Sequence, residues 1–205
     1  WEAGELPPVD VFVDSPLAIN VTEVYSAHPE CYDREMLDTM ATDSDGDPLG
    51  FRRLRYVRKA EESKALNTRR GPAIIIAASG MCEGGRILHH LRNHVGNPST
   101  TVLFVGYQAQ HTLGRRLLEG NDEVRVLGTP VEVRARIERA DAYSAHADRT
   151  GLLRWAEAVR EQGQVSRYFL VHGEEDSAEA LAEDLRSAGT AGVEVPERGS
   201  AFELA

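Results

Sequence analysis

Two histidines stand where a fold can place chemistry. His146 lies in the run Ala142-Tyr-Ser-Ala-His-Ala-Asp148, just ahead of a stretch with helical periodicity. A histidine there meets the positive end of a helix dipole, which suits a phosphate contact, a proton donor or acceptor, or a metal ligand. His172 follows the apolar run Tyr168-Phe-Leu-Val171 and precedes Gly173-Glu174-Glu175. The end of a parallel strand is where α/β folds hold ligands, and a neutral imidazole there can bind Zn²⁺. Taken singly, each reads more readily as a packing histidine. The like placement of the two, 26 positions apart, sets the pair aside.

Two glycine-containing loops add anion-binding chemistry. Ser79-Gly80-Met81 leaves the apolar run Pro72 to Ala78. Glycine lets a ligand approach backbone closely, and the helix that follows offers free N–H groups. The alternative is a tight turn that needs positive φ, and the loop matches neither the Walker A nor the GxGxxG pattern. Gly106 to Arg115 (GYQAQHTLGR) is the second loop. Gln108, Thr112 and Arg115 can donate to phosphate oxygens, Arg115 bidentately. Asp14 and Ser15 end the first strand, and a helix N-cap is the favoured role for either. His89 and His90 are adjacent in a helix and cannot both face one site, so at least one is solvated. Cys31 and Cys82 lack CxxC spacing, which disfavours a structural zinc or a disulfide framework.

The elements that must carry these residues alternate. Val9–Val13, Leu54–Val57, Pro72–Ala78 and Thr101–Val105 read as strands. Helices are expected over about 16–27, 60–66, 83–95 and 112–119. Consecutive apolar positions in 72–78 call for burial on both faces, as in the middle of a parallel sheet. Strand, loop and helix in repetition imply an α/β fold with a doubly wound, mostly parallel sheet. From residue 124 the pattern changes. Val124–Leu127 and Val131–Ile137 alternate around Gly128-Thr-Pro130 as an antiparallel pair. A helix to about Glu161, a strand at 167–171, a helix at 177–188 and a strand at 193–195 follow. The division expected is 1–124 and 125–205.

The chain has 205 residues with 23 Lys+Arg against 33 Asp+Glu, a net charge of −10. No apolar run approaches the roughly 20 residues of a membrane span. Two distant cysteines point to a reducing cytoplasm. The start at Trp1, without an initiator Met, fits a processed form or a piece of something longer. Net charge argues weakly against a nucleic-acid partner. It is uneven, however: Phe51 to Arg70 holds eight basic and two acidic residues, +6 on an otherwise acidic body. Such a strip is either a solvated surface or a means of holding a polyanion locally.

Together the runs VDSPLA, AIIIAASGMCEGGRILHHL, VLFVGYQAQHTLGRRL, AYSAHAD and FLVHGE resemble the β-CASP branch of the metallo-β-lactamase superfamily, which includes RNA-processing nucleases. The resemblance covers nearly the whole chain. It implies a β-CASP domain followed by the C-terminal segment of a metallo-β-lactamase αββα domain. It implies that His146 contacts the scissile phosphate and helps proton transfer, and that His172 is a zinc ligand. Ser79, Gly80 and Met81 match a loop lining the RNA path, and Thr112, Gly114 and Arg115 a phosphate-contacting turn. The implied activity is hydrolysis of RNA phosphodiesters by a hydroxide on two Zn²⁺ ions in the complete enzyme. The implied partners are RNA and an upstream metallo-β-lactamase half, and a homodimer is compatible.

Two departures qualify the resemblance. His111 stands where the family usually has glycine ahead of the TLGR run. The HxHxDH signature is absent, and no HxH occurs in the 205 residues. These residues alone are therefore expected to hold no stoichiometric zinc and to be inactive. The alternatives are a non-catalytic RNA-binding scaffold and a DNA-acting nuclease. Retention of His146 and His172 disfavours the first; a histidine rather than valine at 172 disfavours the second.

Overall fold

A computed structural model describes residues 7–42, 49–143 and 146–203. The chain divides into two compact units, Trp1–Tyr143 and Ser144–Ala205.

The first unit opens with β1 (Asp10–Val13), α1 (Pro16–Ser26) and α2 (Arg34–Thr42). Pro16 at the first helical position and the Ser15 hydroxyl, which accepts from Ala18 N–H, start α1. β2 (Leu54–Tyr56), α3 (Ala60–Leu66) and β3 (Ala73–Ile76) follow, and the three strands form a parallel sheet in the order β2-β1-β3. Next come α4 (Ile87–His94), β4 (Thr101–Phe104), α5 (Leu113–Leu118), the β5 (Glu123–Val126)–β6 (Thr129–Glu132) hairpin, and β7 (Arg136–Arg139). β7 pairs in parallel with β4, opposing Val102 to Ile137. The core of this half is Leu91, Val95, Phe104, Leu113, Leu117, Val124 and Val126, with Cys82 and Ala135.

The second unit holds α6 (Arg149–Gln162), β8 (Tyr168–Phe169), α7 (Glu175–Ser187) and β9 (Val193–Glu194). β8 and β9 pair in parallel. Ala156, Tyr168, Ala182, Leu185 and Val193 form its core, and the Tyr168 hydroxyl donates to the Ala156 carbonyl. Among the described residues no helix is long and apolar enough to cross a membrane.

The chain is thus mixed α/β with parallel pairing, and among the described residues its strands lie in four small sheets. Three expectations change. β3 is an edge strand, and Ile74 and Ile76 are 48% and 52% exposed, while Val11 and Phe12 of central β1 are buried. An apolar run states a need for cover; it does not supply the neighbour. Ile137 leaves the hairpin, because pairing stops at Glu132 and the next strand turns to β4. α4 begins at Ile87 rather than Glu83, because Ser79 to Gly85 forms its own loop. The hairpin and β7 pack within the first compact unit.

Candidate functional site

The loop after β3 is built to hold a fixed shape. Ser79 N–H donates to the Gly84 carbonyl at 3.1 Å, Cys82 N–H to Ser79 at 3.0 Å, and Ile87 N–H to Ala78 at 3.2 Å. Gly85 has φ +75°, and a Cβ there would sit 2.4 Å from the Ala78 carbonyl oxygen, so only glycine closes the loop. Gly80 differs: its φ is not positive, and a Cβ would meet nothing within 4 Å. The chain itself does not demand glycine at 80. Cys82 is buried, and burial together with nearby Glu83 pushes its thiol up to about 11, so it is no nucleophile at neutral pH.

The second loop is clamped onto the first. Gln108 is 3% exposed, and its Nε2 donates to the carbonyls of Gly80, Gly106 and Tyr107 at 2.9, 3.2 and 3.0 Å. Gly114 N–H donates to the Met81 carbonyl at 3.1 Å, and Leu113 N–H to Glu83 Oε1 at 2.5 Å. A Cβ at Gly114 would lie 1.8 Å from Gln108 Oε1, so Gln108 could not keep this position beside any other residue. That oxygen is buried with no hydrogen-bond partner, so Gln108 is held by its amide N–H groups alone. Ser79, Gly80 and Met81 are therefore brought together with Gln108, Thr112 and Gly114. Gln108 was expected to donate to phosphate; buried and engaged with three carbonyls, it instead braces one loop against the other.

Thr112 caps α5: its Oγ1 accepts from Arg115 N–H at 3.2 Å and donates to the Ala109 carbonyl at 2.7 Å. Arg115 pairs through Nε with Glu119 at 2.8 Å. Both border an open hollow of about 380 Å³ lined by Gln110, His111, Arg115, Arg116 and Glu119. His111 is exposed at φ +67°, in the left-handed region that favours glycine, so the turn keeps a glycine-like path while adding an imidazole.

Behind the loops lies a network that sequence reasoning missed. Asp14 is fully buried at the end of β1. It accepts from Ser63 Oγ at 2.6 Å, from Arg86 Nη1 at 2.5 Å and from His90 Nε2 at 2.6 Å. Burial raises its carboxyl, but these hydrogen bonds outweigh that and hold it below its ordinary value. Arg86, which closes the Ser79–Gly85 loop, also donates to the carbonyls of Val57 and Arg58 at 2.9 and 2.7 Å. Ser15 is the N-cap and Asp14 is not. Of the adjacent histidines, His89 is exposed and His90 buried.

In the second unit, His146 is exposed and sits two residues ahead of Asp148. Asp148 caps α6 by accepting from Gly151 N–H at 2.7 Å. Ser144 and Ala145 of the same run lie outside the described residues. β8 ends at Phe169, so His172 stands three residues past the strand, at φ +67° and exposed, two residues before the start of α7's cap at Glu174. Among the described residues, no three His, Cys, Asp or Glu side chains are grouped to hold a metal ion.

Two family models match the chain. One, the Beta-Casp domain, covers residues 1–117 and takes in Ser79 through Arg115. The other, the Zn-dependent metallo-hydrolase RNA specificity domain, covers 130–196 and takes in His146 and His172. A ribonuclease of Thermus thermophilus is 36% identical over 184 residues, 90% of this chain and 41% of its own length. Transcription termination factor FttA of Cenarchaeum symbiosum is 30% identical, over 88% of this chain and 28% of its own. An RNase J-like protein of Methanocaldococcus jannaschii is 28% identical, over 84% and 37%. The chain thus spans between about a quarter and two fifths of the length of these relatives.

Proposed function

This chain belongs to the β-CASP branch of the metallo-β-lactamase superfamily, and from that premise we propose that it is part of a zinc-dependent ribonuclease. The observation that carries the reading is a set of residues that resemble the family's motifs, lying within the two matched family models. These are an exposed imidazole at His146, a second at His172, and two clamped loops presenting Ser79, Gly80 and Met81 beside Thr112, Gly114 and Arg115. The 36% identity to a ribonuclease supports RNA as the substrate.

The described residues do not by themselves fit a zinc centre. His172 is one candidate ligand, and a four-coordinate site needs three more donors. The proposal therefore assigns His172 one coordination position in the complete protein, with the remaining ligands contributed from outside these 205 residues. Zinc would there supply Lewis acidity and an activated water. What this chain adds is phosphate positioning: His146 as hydrogen-bond partner or proton carrier, and the clamped loops as a rigid backbone surface. The 205 residues alone are inactive and bind no stoichiometric zinc. Residues 1–124 are assigned to a doubly wound β-CASP domain, residues 125–205 to the metallo-β-lactamase segment, and the protein to the cytoplasm.

The test is the complete protein and its His172→Ala variant, assayed for zinc content and for cleavage of a single-stranded RNA. Both should fall together. Cleavage that survives unchanged at full zinc occupancy removes the ligand assignment. A second reading, a role in transcription termination, is favoured by the match to FttA. It stands behind the first because the ribonuclease is the more similar relative by identity and coverage.

A further inference from the structure

The strip Phe51–Arg70 holds eight basic residues, which the proposed chemistry does not use. Seven of them fall into two kinds, and the eighth, Arg52, is exposed but engaged within the chain. Arg53 and Arg69 both pair with Asp10, at 3.1 and 2.5 Å, and Arg69 also lies over the Phe12 ring at 5.4 Å. Arg58 pairs with Glu23. These three are tied into the fold. Arg55, Lys59, Lys64 and Arg70 are exposed and, among the described residues, have no acidic partner within 4 Å. Glu62, the nearest acid in sequence to Lys59 and Lys64 besides Glu61, is engaged with the backbone N–H groups of Arg58 and Lys59.

The four exposed cations border one element. Lys59 precedes α3, Lys64 lies on it and Arg70 follows it. Arg55 pairs in register with Phe12, whose side chain joins Val57 and Leu66 beneath α3, so Arg55 lies on the same face of the sheet at its β2 edge. α3 rises about 10 Å over its seven residues. Its Lys59 end adjoins the Ser79–Gly85 loop: Arg86, the residue closing that loop, holds the carbonyls of Val57 and Arg58. The strip's +6 falls to +4 once its partners Asp10 and Glu23 are counted, on a chain of net −10. An acidic body repels a polyanion everywhere except at such a patch.

Resting on the ribonuclease reading, we propose that Arg55, Lys59, Lys64 and Arg70 form an auxiliary RNA-binding track. It holds the phosphate backbone of single-stranded RNA alongside α3 and leads it to the Ser79–Gly85 loop. The contacts are to phosphate and carry no sequence preference. RNA is the occupant argued here because the track is continuous with the loop to which the substrate is assigned.

The experiment measures binding of a 5′-labelled, roughly 20-nucleotide RNA to the complete protein across a salt series, with chelator present to suppress cleavage. The length lets one strand reach both sites, and single-stranded contacts shift the salt slope by about 0.7 each. The variant replaces Arg55, Lys59, Lys64 and Arg70 with Gln. It should bind about tenfold or more weakly at ~0.15 M salt, with the log–log slope shallower by about 2–3. A charge-matched control replaces the exposed Arg125, Arg154, Arg167 and Arg198 with Gln and should change the slope little. Arg55→Gln and Lys64→Gln alone, each expected to weaken binding two- to fourfold, cover a folding defect in the quadruple variant. Unchanged affinity and slope in the patch variants, or an equal loss in the control, overturns the track. Wild-type protein that neither binds nor cleaves RNA overturns the ribonuclease reading itself, which separates the two failures.

Discussion

Two regions carry the candidate chemistry and are built in opposite ways. In the first unit, polar groups near the loops are tied down: buried Asp14 has three donors, buried Gln108 reaches three carbonyls, and Glu83 holds Leu113 N–H. In the second, His146 and His172 are exposed on short segments ahead of helices. A buried, hydrogen-bonded network costs much when broken and does little chemistry of its own. An exposed imidazole contributes less to folding than a buried polar network and is open to solvent. The first region reads as scaffold and the second as reagent, and that division is open to measurement.

The sharpest break is expected in activity. In the complete protein, His172→Ala and His146→Ala should each lower RNA cleavage at least about a hundredfold, on the order of the effect of removing one group that meets the reacting phosphate. Each should change unfolding free energy by less than about 0.5 kcal/mol, as for exposed sites elsewhere. Matching losses of stability would erase the contrast.

Stability should respond most at Asp14. Asp14→Ala leaves Arg86 and His90 without their shared carboxylate and should cost about 3–5 kcal/mol in urea unfolding. Gly85→Ala should follow, at more than about 1 kcal/mol, because its φ is +75° and the new Cβ meets a backbone carbonyl. Normal stability in either variant would show that the loop is not braced as described.

A smaller effect concerns pH. The folded carboxyl of Asp14 is held below its ordinary value of 3.8. Its contribution is therefore fully present above the unfolded pKa near 4 and is lost as pH falls through the lower, folded value. Asp14→Asn should flatten the acid limb of the stability profile below about pH 4 and leave its shape from pH 6 to 8 unchanged. An identical acid limb would mean that the buried carboxylate is not the group responsible.

The smallest effect is chemical. At pH 7.5, exposed Cys31 should alkylate readily, while Cys82, buried with its thiol pushed up to about 11, should resist until the protein unfolds. Equal rates would place Cys82 outside the core that seats the loop.

Local features of the fold were legible because they rest on local physics. A serine at 15 ahead of a helical stretch marks a helix start, and alternation around Gly128 gives the hairpin. Pairings distant in sequence were not. Nothing in the run from Val131 to Ile137 says that its second half turns to β4, and an unbroken apolar strand such as β3 did not reveal that it sits at an edge. The candidate site divided in the same way. His146 and His172 stood out by their position at element ends. Asp14 and His90 are 76 residues apart and meet only through the sheet, so no spacing announces them. Gln108 matched the chemistry of a phosphate donor but not its exposure, which only packing reveals.

The central claim is that the exposed histidines of the second unit are the reagents and the clamped loops of the first are scaffold. Its most direct test is single-turnover cleavage of a labelled RNA by the complete protein and its His146→Ala variant, with thermal unfolding of both recorded alongside. The account predicts a fall of about a hundredfold or more in the cleavage rate at an unchanged midpoint of unfolding. A variant that cleaves at the wild-type rate, or one that loses activity only as far as it loses folded protein, contradicts it.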